Sequence, residues 1–207
     1  MYKLYYSPGA ASVAPQAVLE EAGVSYQLEL VDTSQGQHQT AAYLKLNPTG
    51  KVPALGIDNG DTISESAGLC IYLADRHPQA GLAPTVNDPK RGAFLQWLMY
   101  LTNTLQPADL RYYYSDRYTA NATEAAGVKQ QAMTEIATCW TRVDSHLAEH
   151  GPYLLGDRFS AADIFCWMLS TWQDACPGLY ERYPHVKKLA DLVAARPAVQ
   201  RVQQANS

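Results

Sequence analysis

Two short stretches concentrate the residue types that could do chemistry: Asn47-Pro48-Thr49-Gly50-Lys51-Val52-Pro53-Ala54-Leu55 and Glu65-Ser66. Pro53 has no N–H to donate to a sheet and disfavours the αR conformation at Val52, so the chain there is extended or turned. Val52-Pro53 is an X-Pro bond, the one kind that tolerates the cis form cheaply. A bend at this point leaves the Val52 N–H and C=O without partners and offers both to something peptide-like. Glu65 adds a carboxylate for an ammonium group. Ser66 opens a helical pattern whose first N–H groups suit a carboxylate. Val52, Pro53, Glu65 and Ser66 together describe a site for a small molecule with a peptide bond, a free amine and a free carboxylate.

A different chemistry is offered by Leu110-Arg111-Tyr112-Tyr113-Tyr114-Ser115-Asp116-Arg117-Tyr118. Tyr112, Tyr113 and Tyr114, with Trp172 further on, could wall a pocket for a planar apolar molecule. The same rings fit helix packing and a tyrosine-rich surface equally well, and the sequence leaves both open. Five histidines and the four cysteines Cys70, Cys139, Cys166 and Cys176 show no metal-ligand spacing, so no metal is expected. Three of the cysteines fall in apolar helical patterns, where buried free thiols are the expected state.

These groups need elements to hold them. Residues 3–6 are β-rich and are stopped by Ser7-Pro8-Gly9. A helical pattern then starts at Ser12, a natural N-cap, tolerates Pro15 in its first turn and ends at Gly23. Residues 26–31 alternate with period two. Residues 54–57 and 62–63 flank Asn59-Gly60 and read as a hairpin with a tight primed turn. Helical spacing resumes at Ser66 and runs to about Arg76. The order β-α-β-(α)-β-β-α implies a small mixed sheet with flanking helices.

After the breaker-rich residues 77–84 only helical patterns follow, over about 89–117, 124–150, 161–173 and 185–195, with a short one near Ala198. The expected organisation is an α/β domain over residues 1–80 and an all-helical bundle domain over residues 88–207. At Ser160…Asp163 a capping-box variant would satisfy a buried helix start, Ser160 capping the Asp163 N–H and the Asp163 side chain reaching back. A chain of 207 residues, 47% hydrophobic and 17% charged, supports a sizeable core in one or two domains. Net charge of −4 without a Lys/Arg cluster argues against nucleic-acid and anionic-membrane partners. The absence of an apolar leader pattern or membrane-length run leads to the expectation of a soluble cytoplasmic protein.

The stretch Asn47-Pro48-x-Gly50-x-Val52-Pro53-Ala54-Leu55, then Glu65-Ser66 with Ile71-Tyr72-Leu73, then the Ser160…Asp163 box resemble the glutathione S-transferase superfamily. The likeness covers essentially the whole chain. Leu4-Tyr5-Tyr6-Ser7-Pro8-Gly9-Ala10, followed by Trp97-Leu98, is similar to its bacterial beta class. The resemblance implies a thioredoxin-like N-terminal domain, with a mixed four-stranded sheet, followed by an all-helical domain. It implies glutathione as co-substrate, a ligand with the peptide bond, amine and carboxylate the first stretches call for. It further implies conjugation of the glutathione thiolate to a small apolar electrophile held against the helical domain, in a homodimer of detoxification type.

The chain also departs from that class. The beta class has a cysteine where this chain has Ala11, so a mixed disulfide with glutathione by this route is unavailable. A family lysine for the glycine carboxylate falls within residues 34–38, which contain none; Gln35, Gln37 or His38 could substitute. The family's asparagine and histidine on the first long helix correspond to Met99 and Gln106. Asn103 and Gln106, spaced i, i+3, are the polar residues left there to touch glutathione. Since the thiolate is the nucleophile, activation falls to a hydroxyl. Ser12, beside the missing cysteine, is the first choice, with helix N–H groups adding positive potential; Tyr6 is the second. The alternative is a glutathione- or hydrophobe-binding protein with little catalysis. Ala11 disfavours glutathione-dependent disulfide reduction.

Overall fold

Strand β1 (Tyr2–Tyr6) is the axis around which the first part of the chain is built. The computed structural model describes residues 1–207, and these divide into two units, Met1–Thr85 with Ala195–Ser207, and Val86–Ala194. In the first unit β2 (Tyr26–Leu30) runs parallel to β1, and β3 (Ala54–Gly56) and β4 (Thr62–Ser64) add antiparallel, giving the order β2-β1-β3-β4. The register pairs Leu4 with Leu28 and Leu55, and both Leu4 and Leu55 are fully buried. The mixed four-stranded sheet implied by the sequence is the one observed.

Helix α1 (Val13–Ala22) connects β1 to β2 and buries Val13, Ala14, Ala17, Val18 and Leu19. It stops at Gly23, whose φ of 65° only glycine adopts cheaply and whose N–H returns to the last carbonyls. Helix α2 (Ala41–Leu46) begins at Thr40, whose hydroxyl accepts the Tyr43 N–H at 3.3 Å. Helix α3 (Ser66–Arg76) follows β4 directly. The hairpin between β3 and β4 is not a two-residue turn: it closes over residues 57–61, with Ile57 N–H bonded to Asp61 O. Of Asn59 and Gly60 only Gly60 takes positive φ, so the primed geometry, which needs both, does not form.

The second unit is all-helical: α4 (Arg91–Tyr100), α5 (Gln106–Tyr113), α6 (Ala125–His150), α7 (Ala161–Ser170), α8 (Leu179–Arg182) and α9 (Pro184–Ala194). The single helix expected over 89–117 is interrupted by a wide π turn at Leu101–Leu105. Pro107 explains it. A proline in the helix lacks an N–H and its ring presses on the carbonyl four residues back, so the chain widens there. Helix α7 is buried along its length and ends at Ser170, short of 173. The Ser170 and Thr171 hydroxyls donate to the Trp167 and Met168 carbonyls, satisfying two of the carbonyls left over at that end. At the other end Asp163 accepts from Leu154 N–H (2.7 Å), Ser160 N–H (2.8 Å) and the Ser160 hydroxyl (2.9 Å). The last helix, α10 (Pro197–Ala205), belongs by sequence to the helical half but packs on α1. Arg196 forks onto Glu21 at 2.5 and 2.8 Å, and Arg201 meets Glu20 at 2.7 Å. No helix is long and apolar enough to cross a membrane.

Candidate functional site

The segment before Val52 is held from behind by α2 and the turn that precedes it. Asn47, only 2% exposed, accepts from the Thr49 N–H (3.2 Å) and hydroxyl (2.8 Å) and donates through Nδ2 to the Lys51 carbonyl at 2.7 Å. The Tyr43 hydroxyl donates to the same carbonyl, also at 2.7 Å. Burial pushes the Tyr43 phenol up to about 12, so it keeps its proton to donate. Gln39 Nε2 reaches the Gly50 carbonyl at 3.1 Å. Gly50 has φ 60°, a left-handed conformation that glycine adopts cheaply, and a Cβ there would displace the Gln39 amide, 2.6 Å away.

Val52-Pro53 is cis. The Val52 N–H and C=O enter no hydrogen bond with the chain, because β3 pairing begins only at Ala54. The Val52 side chain packs against the Val31, Tyr43 and Ala54 cluster, which leaves its backbone as the part on offer. Beyond β4, Glu65 is exposed and has φ 73°, the only non-glycine residue with positive φ. A conformation of this kind costs about 1–3 kcal/mol and persists where the surroundings enforce it, often at functional sites. The first intrahelical bond of α3 runs from Leu69 N–H to Glu65 O at 2.8 Å, so the preceding N–H groups remain available. Ser66 donates its hydroxyl to the Ala11 carbonyl at 2.6 Å, tying the start of α3 to the loop before α1.

That loop corrects the expectation for Ser12. Its side chain is fully buried and does not cap α1, because Ser12 is itself in the αR conformation rather than the extended one capping needs. Its hydroxyl donates to Ser7 O at 3.1 Å and accepts Ser7 N–H at 3.3 Å. That hydroxyl therefore has backbone partners on both its donor and its acceptor side within the chain. The Ala11 and Ser12 N–H groups, in contrast, enter no bond with the chain. Tyr6, half-buried at the end of β1, has a hydroxyl with no intrachain partner and lies on the same strand face as Tyr2 and Leu4.

The remaining expected residues lie in both units. Gln37 is exposed and its Oε1 accepts the Asp32 N–H at 2.9 Å. His38 has its Nδ1 buried without a partner. Asn103 lies in the π turn with its amide 3.9 Å from Met99 Sδ, and Gln106 starts α5 with its Oε1 accepting from Thr102 at 3.2 Å. The wide turn between them breaks the regular α phase on which a shared i, i+3 face depends. In the second unit Tyr113 meets Tyr112 at 5.2 Å and Trp172 at 6.5 Å, both edge-on. Lys129 sits over Tyr112 and Arg117 over Tyr114, at 4.3 and 4.2 Å, so protein cations already cover those faces. All four cysteines are free and buried. No group of three or more His, Cys, Asp or Glu could hold a metal ion. A surface hollow lined by Asp88, Pro89, Lys90, Asp157 and Arg158 is a latch of ion pairs rather than a reaction site, with Arg158 and Asp88 2.6 Å apart.

Sequence reasoning passed over Tyr43 and Gln39. A signal existed for Tyr43, which stands four residues before Asn47, the spacing of one helix face; Gln39 lies before the extended Thr40 and carried none.

Comparison with known proteins supplies independent findings. A family model described as the glutathione S-transferase N-terminal domain matches residues 14–76, and one described as its C-terminal domain matches residues 102–205. The chain is 29% identical over 202 residues to glutathione S-transferase GstA of Escherichia coli O157:H7, covering 96% of this chain and 95% of that protein. It superposes on a glutathione transferase homologue from Sulfitobacter with bound glutathione at a TM-score of 0.92, with 30% identity over 99% of this chain and 98% of the other. A bacterial beta class glutathione S-transferase of Sphingomonas chungbukensis gives a TM-score of 0.85 and 28% identity, over 99% of this chain and 98% of that one.

Proposed function

The chain belongs to the glutathione S-transferase family, and from that premise we propose that it binds glutathione on its first unit and transfers the thiolate to a small apolar electrophile. The observation that carries the reading is the free backbone of Val52 together with the enforced positive φ of Glu65. The Val52 N–H and C=O pair with a peptide group of glutathione. Glu65 takes the γ-glutamyl ammonium, and the first N–H groups of α3 take the γ-glutamyl carboxylate. The Ser66 hydroxyl, through its bond to the Ala11 carbonyl, keeps this end of the ligand in register with the loop where the sulfur sits.

With the Ser12 hydroxyl committed to Ser7, the sulfur is stabilised by the Ala11 and Ser12 N–H groups and by the Tyr6 hydroxyl. Lowering a thiol pKa from about 8.5 by one unit requires about 1.4 kcal/mol of extra interaction with the thiolate, within the reach of one charge-assisted hydrogen bond. The protein is proposed to act as a cytoplasmic homodimer, which light scattering on the purified protein checks. Retention on immobilised glutathione tests binding, and turnover of a chromogenic aryl halide tests transfer. Tyr6→Phe is expected to raise the pKa of bound glutathione and cut turnover several-fold. Wild-type turnover in Tyr6→Phe removes the phenol from the mechanism.

One observation favours a second reading. Ala11 has no thiol and Ser12 no free hydroxyl, so the loop retains few groups that activate sulfur. A glutathione-binding protein with little turnover would show retention on the resin and no product from any electrophile.

A further inference from the structure

The three side chains that brace residues 50–51 do so in a way that bears on the next residue along. In a planar trans peptide the C=O and the N–H of one unit point in opposite directions. The Lys51 carbonyl and the Val52 N–H belong to one such unit, and the cis bond lies one residue further on. The Lys51 oxygen accepts two hydrogen bonds of 2.7 Å, from the Tyr43 hydroxyl and from Asn47 Nδ2, and so is held toward α2 at both of its lone pairs. The Val52 N–H is thereby held pointing away from α2, and it makes no hydrogen bond with the chain. Gln39 fixes the unit before it through the Gly50 carbonyl at 3.1 Å. Asn47 is 2% exposed and Tyr43 5% exposed, so water does not compete freely for either bond.

We propose that Tyr43 and Asn47, steadied by Gln39, are positioning residues that aim the Val52 N–H at the peptide carbonyl of bound glutathione without touching the ligand. This rests on the glutathione-binding reading above. A carbonyl that accepts two bonds also polarises its own amide, which makes the N–H on the far side a stronger donor. Tyr43 lies on α2 and Asn47 closes it, while Gln39 comes from the separate turn before the extended Thr40.

The test uses the full chain. Tyr43→Phe is isosteric and removes one donor. Asn47→Asp keeps an acceptor for Thr49 but replaces the second donor with a carboxylate oxygen that repels the Lys51 carbonyl. Glutathione affinity is measured by calorimetry for the wild type, each single variant and the double variant, after thermal unfolding has shown each to be folded. The expected result is a Kd raised about 3-fold in Tyr43→Phe and about 10-fold in the double variant, the range set by losing an oriented hydrogen bond. The KM for glutathione should rise in parallel, while kcat at saturating glutathione and the KM for the electrophile change less than about two-fold. Folded variants that bind glutathione with wild-type Kd, or that lose kcat at unchanged KM, overturn the proposal and leave the binding reading intact. A wild-type protein that gives no binding heat overturns that reading, and the proposal with it.

Discussion

Asp109 offers a perturbation whose size follows from the structure. It lies on α5, is 2% exposed, and its Oδ2 has no hydrogen-bond partner. Cys139, Cys176 and Tyr113 are near enough to feel its charge, and none of them is a cation. Burial alone pushes its carboxyl from 3.8 up to about 8. The folded protein therefore holds a proton that the unfolded chain releases above about pH 4. Stability from this group is complete below about pH 4 and is lost as pH rises toward about 8, at about 1.4 kcal/mol per pH unit. Between pH 5 and pH 8 the loss amounts to roughly 4 kcal/mol, a large part of the 5–15 kcal/mol typical of a domain. Asp109→Asn cannot ionise and should remove this dependence. Urea unfolding of both proteins at pH 5, 6, 7 and 8 measures the difference directly, because every other titrating group is common to the pair. The variant should gain on the wild type with each unit of pH. Two stability curves that run parallel from pH 5 to pH 8 would refute the reasoning, since they would mean that Asp109 ionises alike in the folded and unfolded chains.

Other outcomes follow from the same physical terms. Glu65→Gly should stabilise the first unit by about 1 kcal/mol, by relieving the positive φ, yet abolish retention on glutathione resin; chemical denaturation and the resin assay together read both effects. Asp163→Ala leaves two backbone N–H groups and a hydroxyl of a buried helix start unpaired and should cost about 3–5 kcal/mol, seen as a fall in unfolding temperature. Arg196→Ala breaks the fork onto Glu21 that fastens α10 to α1 and should cost about 1 kcal/mol, with faster amide exchange in residues 197–205.

What the amino-acid sequence determines by itself is whatever local covalent geometry and periodicity dictate. The period-two and helical patterns give the sheet and the helices in order, because a strand or helix must bury its own apolar face whatever it packs against. The unpaired Val52 backbone is legible for the same reason: proline cannot pair and restricts the residue before it, with no help from the rest of the fold. Gly23 ends α1 where expected, since a left-handed residue is needed there and only glycine supplies it cheaply.

Tertiary structure decides the groups whose behaviour depends on distant neighbours. Ser12 reads as a cap or a sulfur donor, but in the fold its proton goes to the Ser7 carbonyl inside a buried loop. Ser66 spends its hydroxyl on Ala11, a residue far away in sequence. Gln39, Tyr43 and Asn47 become a brace only because the chain turns back at Gly50 and presents two carbonyls to them. Asp109 looks like any helix aspartate until packing strips its water and supplies no partner. A backbone restriction acts on the residue that carries it. A hydroxyl's partner and a carboxyl's pKa are set by whatever the fold brings alongside, as Ser12, Tyr43 and Asp109 each show.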